Sequence, residues 1–111
     1  MESIAKKHLD HKVLKQTAAE RAEQALTLAY NGGLFKVTPE LISFAETLMR
    51  FDEYTGTYPD EYFLKDSYNN PIKIDDVHHF LHGLITKYNE VMNDWHNEYE
   101  QLRKIRKTDQ L

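Results

Sequence analysis

Six apolar residues, Val77, Leu81, Leu84, Tyr88, Val91 and Trp95, follow one another at intervals of 4, 3, 4, 3 and 4 residues. Side chains at that spacing share one face of an α-helix and form the a/d seam of a coiled coil. The seam continues through Tyr99 and Leu102 after a one-residue slip. Phe80, Ile85 and Met92 widen the apolar face near the middle. Asp75 or Asp76 can cap the start, so the pattern predicts a long helix over 75–107. At 1.5 Å per residue that helix is roughly 48 Å long. A compact chain of this size has a radius of gyration near ~13 Å, so the helix needs a partner of similar length.

The N-terminal stretch is the one candidate within the chain. Residues 3–30 read as a helix capped by Glu2 or Ser3, with Ala, Glu and Leu concentrated in its second half. Its apolar stripe, Ile4, Val13 or Leu14, Ala18, Ala22, Ala25 and Ala29, is narrow and made of small residues, which lets a second helix approach closely. Asn31, Gly32 and Gly33 read as the stop, because glycine accepts the left-handed conformation at a helix C-cap.

Between the two long helices the signals are mixed. Residues 34–37 read as extended. Thr38, Pro39 and Glu40 start a second helix: threonine caps, proline suits the first helical position and glutamate complements the dipole. Leu41, Ile42, Phe44, Ala45, Leu48 and Met49 are its predicted buried face, and it is expected to fade at 50–52. Residues 52–60 are loop by composition. Residues 62–65 and 72–74 read as a hairpin around turn chemistry at 67–71, where asparagine tolerates positive φ. An isolated hairpin is marginal, so 34–37 is expected either to add a third strand or to leave helix 2 as the cover.

The predicted fold is mainly α (α+β), a single domain over 1–111: helix 1 at 1–30, a small α+β head at 31–74 and helix 3 at 75–107. Helices 1 and 3 are expected to pair as an antiparallel stalk. That pairing brings two basic ends together. Residues 1–15 sum to +2 and 101–111 to +3, whereas 16–100 sum to −9. No run of apolar residues approaches the ~20 needed to span a bilayer. No apolar core of the signal-peptide type stands near the start, so a cytoplasmic protein is expected.

Function classes narrow from there. The chain has no cysteine, which removes a disulfide scaffold, a thiolate zinc site and a cysteine nucleophile. His78 and His82 stand at i, i+4, the spacing at which two imidazoles share a metal ion, but the intervening glutamate of the helical zinc-protease motif is missing. Solvated histidines near a helix start are the plainer reading, so no metal and no cofactor are expected. Glu46, Asp52, Glu53 and Asp60 carry no context that would make a catalytic pair. No glycine loop opens a helix to cradle phosphate. The chain is expected not to be an enzyme.

Two binding surfaces remain. The seam residues Leu84, Tyr88, Val91, Trp95, Tyr99 and Leu102 face a helix made mostly of alanine. An uncovered aromatic strip would be a protein interface, because Trp and Tyr are favoured anchors. It would serve a homo-oligomer, a larger assembly, or both. The alternative is a regulator that docks on nucleic acid or on an acidic surface such as a polymerase. It would use Lys6, Lys7, Arg103, Lys104, Arg106 and Lys107, with Lys12 and Lys15 nearby. A net charge of −4 argues against that alternative.

Two segments, 35–44 (FKVTPELISF) and 69–76 (NNPIKIDD), are followed by a helix carrying Asn93, Glu98, Tyr99, Leu102 and Arg103. Together, over residues 34–106, they resemble small proteins of large contractile-tailed bacteriophages. The resemblance implies an accessory or assembly role in the host cytoplasm or the virion, and it brings no catalytic or ligand residues. The order of two long terminal helices around a hairpin is also similar to prefoldin-type chaperone subunits, from which the inserted second helix departs.

Overall fold

The computed structural model of the protein describes the backbone of residues 3–55 and 62–109, and the side chains of 10–54 and 62–105. In chain order the elements are α1 (Ser3–Ala25), β1 (Thr27–Tyr30), β2 (Gly33–Lys36), α2 (Pro39–Thr55), β3 (Tyr62–Lys65), β4 (Pro71–Ile74) and α3 (Val77–Asp109). The chain is mostly helical, with two separate antiparallel hairpins, β1–β2 and β3–β4. It divides into two compact units. One comprises residues 26–89; the other joins α1 to the part of α3 from Glu90 onward.

Helix 1 ends at Ala25, five residues before the expected stop, and Thr27–Tyr30 is a strand. The reason lies in the turn. Asn31 and Gly32 both have positive φ, 47° and 81°, which is the two-residue turn that matches strand twist and favours Asn-Gly. Asn31-Gly32 therefore closes a hairpin, with Tyr30 paired to Gly33 and Thr27 to Lys36. The Val37 amide adds a rung by donating to the Leu26 carbonyl at 2.8 Å. The hairpin sets Phe35 and Val37 in the core at 1% exposure each, more burial than Ala29 could have supplied on a helix. Residues 34–37 thus pair with β1, and of the two alternatives for this segment the third strand beside β3–β4 does not form.

The second hairpin forms over the expected segments, with Pro71 joining the return strand instead of the turn: Tyr62 stands opposite Ile74 and Lys65 opposite Pro71, and Asn69 takes the positive φ, 62°. Its turn is tied to β2 by the Ser67 amide, which donates to the Leu34 carbonyl at 2.8 Å. α2 begins as expected, with Thr38 Oγ1 accepting from the Leu41 amide at 3.1 Å. It runs on to Thr55, past the expected fade. Ala45 is fully buried, whereas Phe44 is about half exposed, so Phe44 leaves the predicted buried face. Asp76, not Asp75, caps α3: its Oδ1 accepts from the His79 amide at 3.1 Å.

The core of residues 26–89 is Phe35, Val37, Ala45, Ile74, Val77, Phe80, Leu81 and Leu84. Phe80 stacks edge-on against both Phe35 and Tyr30, each at 5.0 Å between centroids, a geometry that adds about 0.5–1.5 kcal/mol per pair beyond area burial. The start of α3 is pinned to the first hairpin. Tyr30 Oη accepts from the Asp76 amide at 3.2 Å, and Asn31 Nδ2 donates to the Lys73 carbonyl and to Asp75 Oδ2 at 2.8 and 2.7 Å.

Candidate protein interface

One apolar seam on α3 serves two different cores. Val77, Leu81 and Leu84 are buried in the core of residues 26–89, with Tyr88 packed against it. From Val91 onward the seam meets α1. Leu84 has no exposed surface, so this candidate interface residue belongs to the internal core. Val91 is 8% exposed, Trp95 and Leu102 are half-buried, and Tyr99 is 40% exposed.

Among the described residues of α1, His11, Lys15 and Arg21 contact α3 and Ala18, Ala22 and Ala25 line the groove beside it; His11, Lys15, Ala18, Ala22 and Ala25 form a second 4, 3, 4, 3 series. His11 Nε2 donates to the Leu102 carbonyl at 3.0 Å; the carbonyl can only accept, so Nε2 carries the proton. The Lys15 ammonium stands 5.6 Å over the Tyr99 ring, a cation–π contact of about 0.5–1 kcal/mol at an exposed site. Arg21 and Glu98 pair at 2.6 Å. Their exposure keeps that pair near 0.2–1 kcal/mol.

The register differs from the expected one. Val13 or Leu14 is the expected apolar contact, yet the two are 54% and 52% exposed. The three alanines set the rotation of α1, and counting back by turns from Ala18 brings Lys15 and His11 to the seam. Their long or amphipathic side chains lay apolar stems along α3. The sequence signal was present as the 4, 3, 4, 3 spacing, hidden because two of its members are polar.

Alanine against tryptophan leaves space. Ala18, Ala22, Ala25, Val91 and Trp95, with Arg21, Asp94 and Glu98, line a groove of about 190 Å³. A smaller recess of about 40 Å³ lies among His11, Lys15, Tyr99, Leu102 and Arg103. Ile105 is 54% exposed. Among the described residues of this unit the buried apolar ones are small: Ala18, Ala22 and Val91.

The other candidates fall as follows. Arg103 pairs with Glu100 at 3.3 Å, and Lys104 is exposed; the side chains of Lys6, Lys7, Arg106 and Lys107 lie outside the described residues. His78 bonds Glu53 at 3.1 Å and His82 is exposed. Among the described residues, no group of three or more His, Cys, Asp or Glu is placed to hold a metal ion. Glu46 pairs with Arg50 at 2.6 Å, and Asp60 lies outside the described residues. No helix among the described residues is long and apolar enough to cross a membrane.

Three features escaped the sequence reading. Phe44, Phe51 and Tyr54 on α2 are 49%, 48% and 90% exposed. Gly33 faces Ile72 so closely that a Cβ there would lie 2.4 Å from Ile72 Cγ1. Asp66 is the buried charged residue of the second hairpin, at 8% exposure. Its carboxylate accepts from the amides of Asn70, Tyr68 and Leu34 at 2.9, 3.0 and 3.1 Å. The Asn70 amide above all, with those of Leu34 and Tyr68, holds the Asp66 pKa below its ordinary 3.8, against the opposing effect of burial.

No protein-family model, curated protein or solved structure matches the chain.

Proposed function

We propose that this chain is a non-enzymatic, helical protein-binding protein, a structural or assembly factor that acts by self-association through α1 and the far half of α3. In this reading the two segments pair as an antiparallel stalk. The order of their contacts, His11 with Leu102, Lys15 with Tyr99 and Arg21 with Glu98, supports that pairing.

One observation carries the proposal. Among the described residues the buried apolar side chains of this pair of helices are Ala18, Ala22 and Val91, while Val13, Leu14, Tyr99 and Ile105 stay 40–54% exposed and Trp95 lines an open groove. Helical stability in proteins comes mostly from packing an amphipathic face, and two helices with an alanine seam have little to pack. A second copy supplies the missing cover. The resemblance of 34–106 to proteins of contractile-tailed phages supports a place for such an oligomer in a virion or its precursors, in the host cytoplasm.

The test is mass by light scattering behind a sizing column, at low and high salt, with absorbance at 260 nm recorded. A defined oligomer free of nucleic acid, weakened by Trp95→Ala, is the expected result. A monomer, or a nucleic-acid-bearing species stripped by salt, would overturn the proposal and favour a regulator acting through Lys6, Lys7, Arg103, Lys104, Arg106 and Lys107.

A further inference from the structure

We infer that Asn31 is a one-way modification site: it deamidates through the amide of Gly32, and the conversion turns a tie between the first hairpin and the start of α3 into a repulsion. Of the six asparagines in the chain, Asn31 alone precedes glycine. The reaction needs a backbone nitrogen that can reach the side-chain amide one residue back, and glycine, with no Cβ, hinders that approach least. Both residues are exposed, and the space where a Cβ of Gly32 would stand has no neighbour within 4 Å. The step balances with water as the one co-reactant. The Gly32 nitrogen attacks Asn31 Cγ, loses its proton and expels the Nδ2 group as ammonia, closing a succinimide. Water then opens that ring at either carbonyl. The product is an aspartate, or an isoaspartate whose extra backbone methylene does not fit a two-residue turn.

The hydrogen bonds of the folded turn restrain this reaction and also give it a consequence. Asn31 Nδ2 donates to the Lys73 carbonyl at 2.8 Å and to Asp75 Oδ2 at 2.7 Å, which uses both N–H groups of the amide. Ring closure turns the side chain back over its own backbone, so it requires these bonds to break. After deamidation the same place holds a carboxylate, which at neutral pH can only accept. It faces two acceptors, the Lys73 carbonyl and the Asp75 carboxylate. The Lys73 ammonium, 3.6 Å from Asp75 Oδ1, offsets one of the two negative charges and leaves the other. An unmatched acceptor costs more than a lost bond, so the hairpin does not return to its place beside Asp75. All of these residues lie in the unit of residues 26–89.

The experiment incubates the purified chain in mildly alkaline buffer, folded and in urea, and follows its tryptic peptides by mass spectrometry, with isoaspartate resolved by chromatography. Peptide 22–36 contains Asn31 and no other asparagine, while 66–73 and 88–103 carry the other five. Fragment masses place the change at Asn31. Conversion there is expected to outpace that in the other two peptides and to be fastest in urea. In the folded Asp75→Ala variant it is expected to run about three- to tenfold faster than in the folded parent, the effect of losing one hydrogen bond. Asn31→Asp, which installs the aspartate product directly, is expected to lower Tm by several degrees with helical circular dichroism retained. A folded chain in which Asn31 stays intact while the unfolded chain converts, or in which another asparagine converts first, overturns the modification site. An unchanged rate in Asp75→Ala overturns the restraint by the tie. An unchanged Tm in Asn31→Asp overturns its conversion to a repulsion.

Discussion

The amide of Leu34 donates to Asp66 Oδ2 at 3.1 Å, which joins the first hairpin to the turn of the second. Asp66 Oδ1 meanwhile closes its own turn by accepting from Tyr68 and Asn70. One carboxylate thus accepts from three amides. Asp66→Asn replaces an acceptor oxygen with an NH2 group that cannot accept from an amide, and thermal melts followed by circular dichroism are expected to show a lower Tm by several degrees at pH 7. The Asp66 pKa is lowered on folding, so its stabilisation is fully present above the ordinary value of 3.8 and is lost as pH falls below it through the folded-state value. The Tm difference between parent and variant should therefore be constant from neutral pH to about 5 and shrink below about 4. A difference that grows on acidification would assign the loss to something other than the ionised carboxylate.

How much of this was legible in the residues follows from which signals were local. Thr38-Pro39-Glu40 names a helix start through a cap and a fixed φ, and Thr38 does cap there. Asn69 and its neighbours name a turn, and Asn69 takes the positive φ. Asn31-Gly32 is as local a signal but has two solutions, a helix end and a two-residue hairpin. Only the burial of Phe35 and Val37, which depends on α3 and α2, decides between them. The rotation of α1 was hidden for a related reason. Hydrophobicity points to Val13 or Leu14, while counting back by turns from Ala18 leads to Lys15 and His11, and it is these two that reach Tyr99 and Leu102. The seam on α3 was plain from its spacing. That Leu84 and Trp95 pack in different units was not, because a period shows that a face is apolar and not what lies opposite each residue.

Gly33 is required by a neighbour rather than by its own dihedral angles. A Cβ at this position would lie 2.4 Å from Ile72 Cγ1 and 2.9 Å from Cδ1, closer than atoms can pack. Gly33→Ala must push Ile72 out of its place beside the core, and overpacking of this kind costs about 1–3 kcal/mol. Urea titrations are expected to show that loss. Adding Ile72→Ala removes the offending atoms, so the double variant should lose less than the sum of the single ones. Strict additivity would mean that the two residues do not meet.

Val13 and Leu14 separate folding from association. Both are more than half exposed on α1, so replacing them with Ser and Gln removes little that the single chain buries. Surface changes of this sort typically move stability by no more than about 0.5 kcal/mol. Under the self-association reading the same pair is part of the exposed apolar surface that a second copy covers. Light scattering of the double variant is expected to give a monomer with helical circular dichroism close to the parent's. An oligomer of parental mass and affinity would place the contact surface elsewhere.

Leu84 and Trp95 lie on the same face of α3, eleven residues apart, and should fail in opposite ways. Leu84 is fully enclosed by the core of residues 26–89. Leu84→Ala leaves a cavity there and is expected to cost about 2–5 kcal/mol of unfolding free energy, with the affinity between copies changed only to the extent that the fold is lost. Trp95 is half-buried and lines a groove that is open in the single chain, so truncation removes contact area that a partner would complete. Trp95→Ala is expected to weaken association by at least about thirtyfold, the lower range of an interface anchor at ~2 kcal/mol, while the denaturant midpoint of the monomer moves little. Measuring both variants in both assays separates the roles. If Trp95→Ala costs as much unfolding free energy as Leu84→Ala and leaves affinity unchanged, the groove is part of the fold and the partner binds elsewhere.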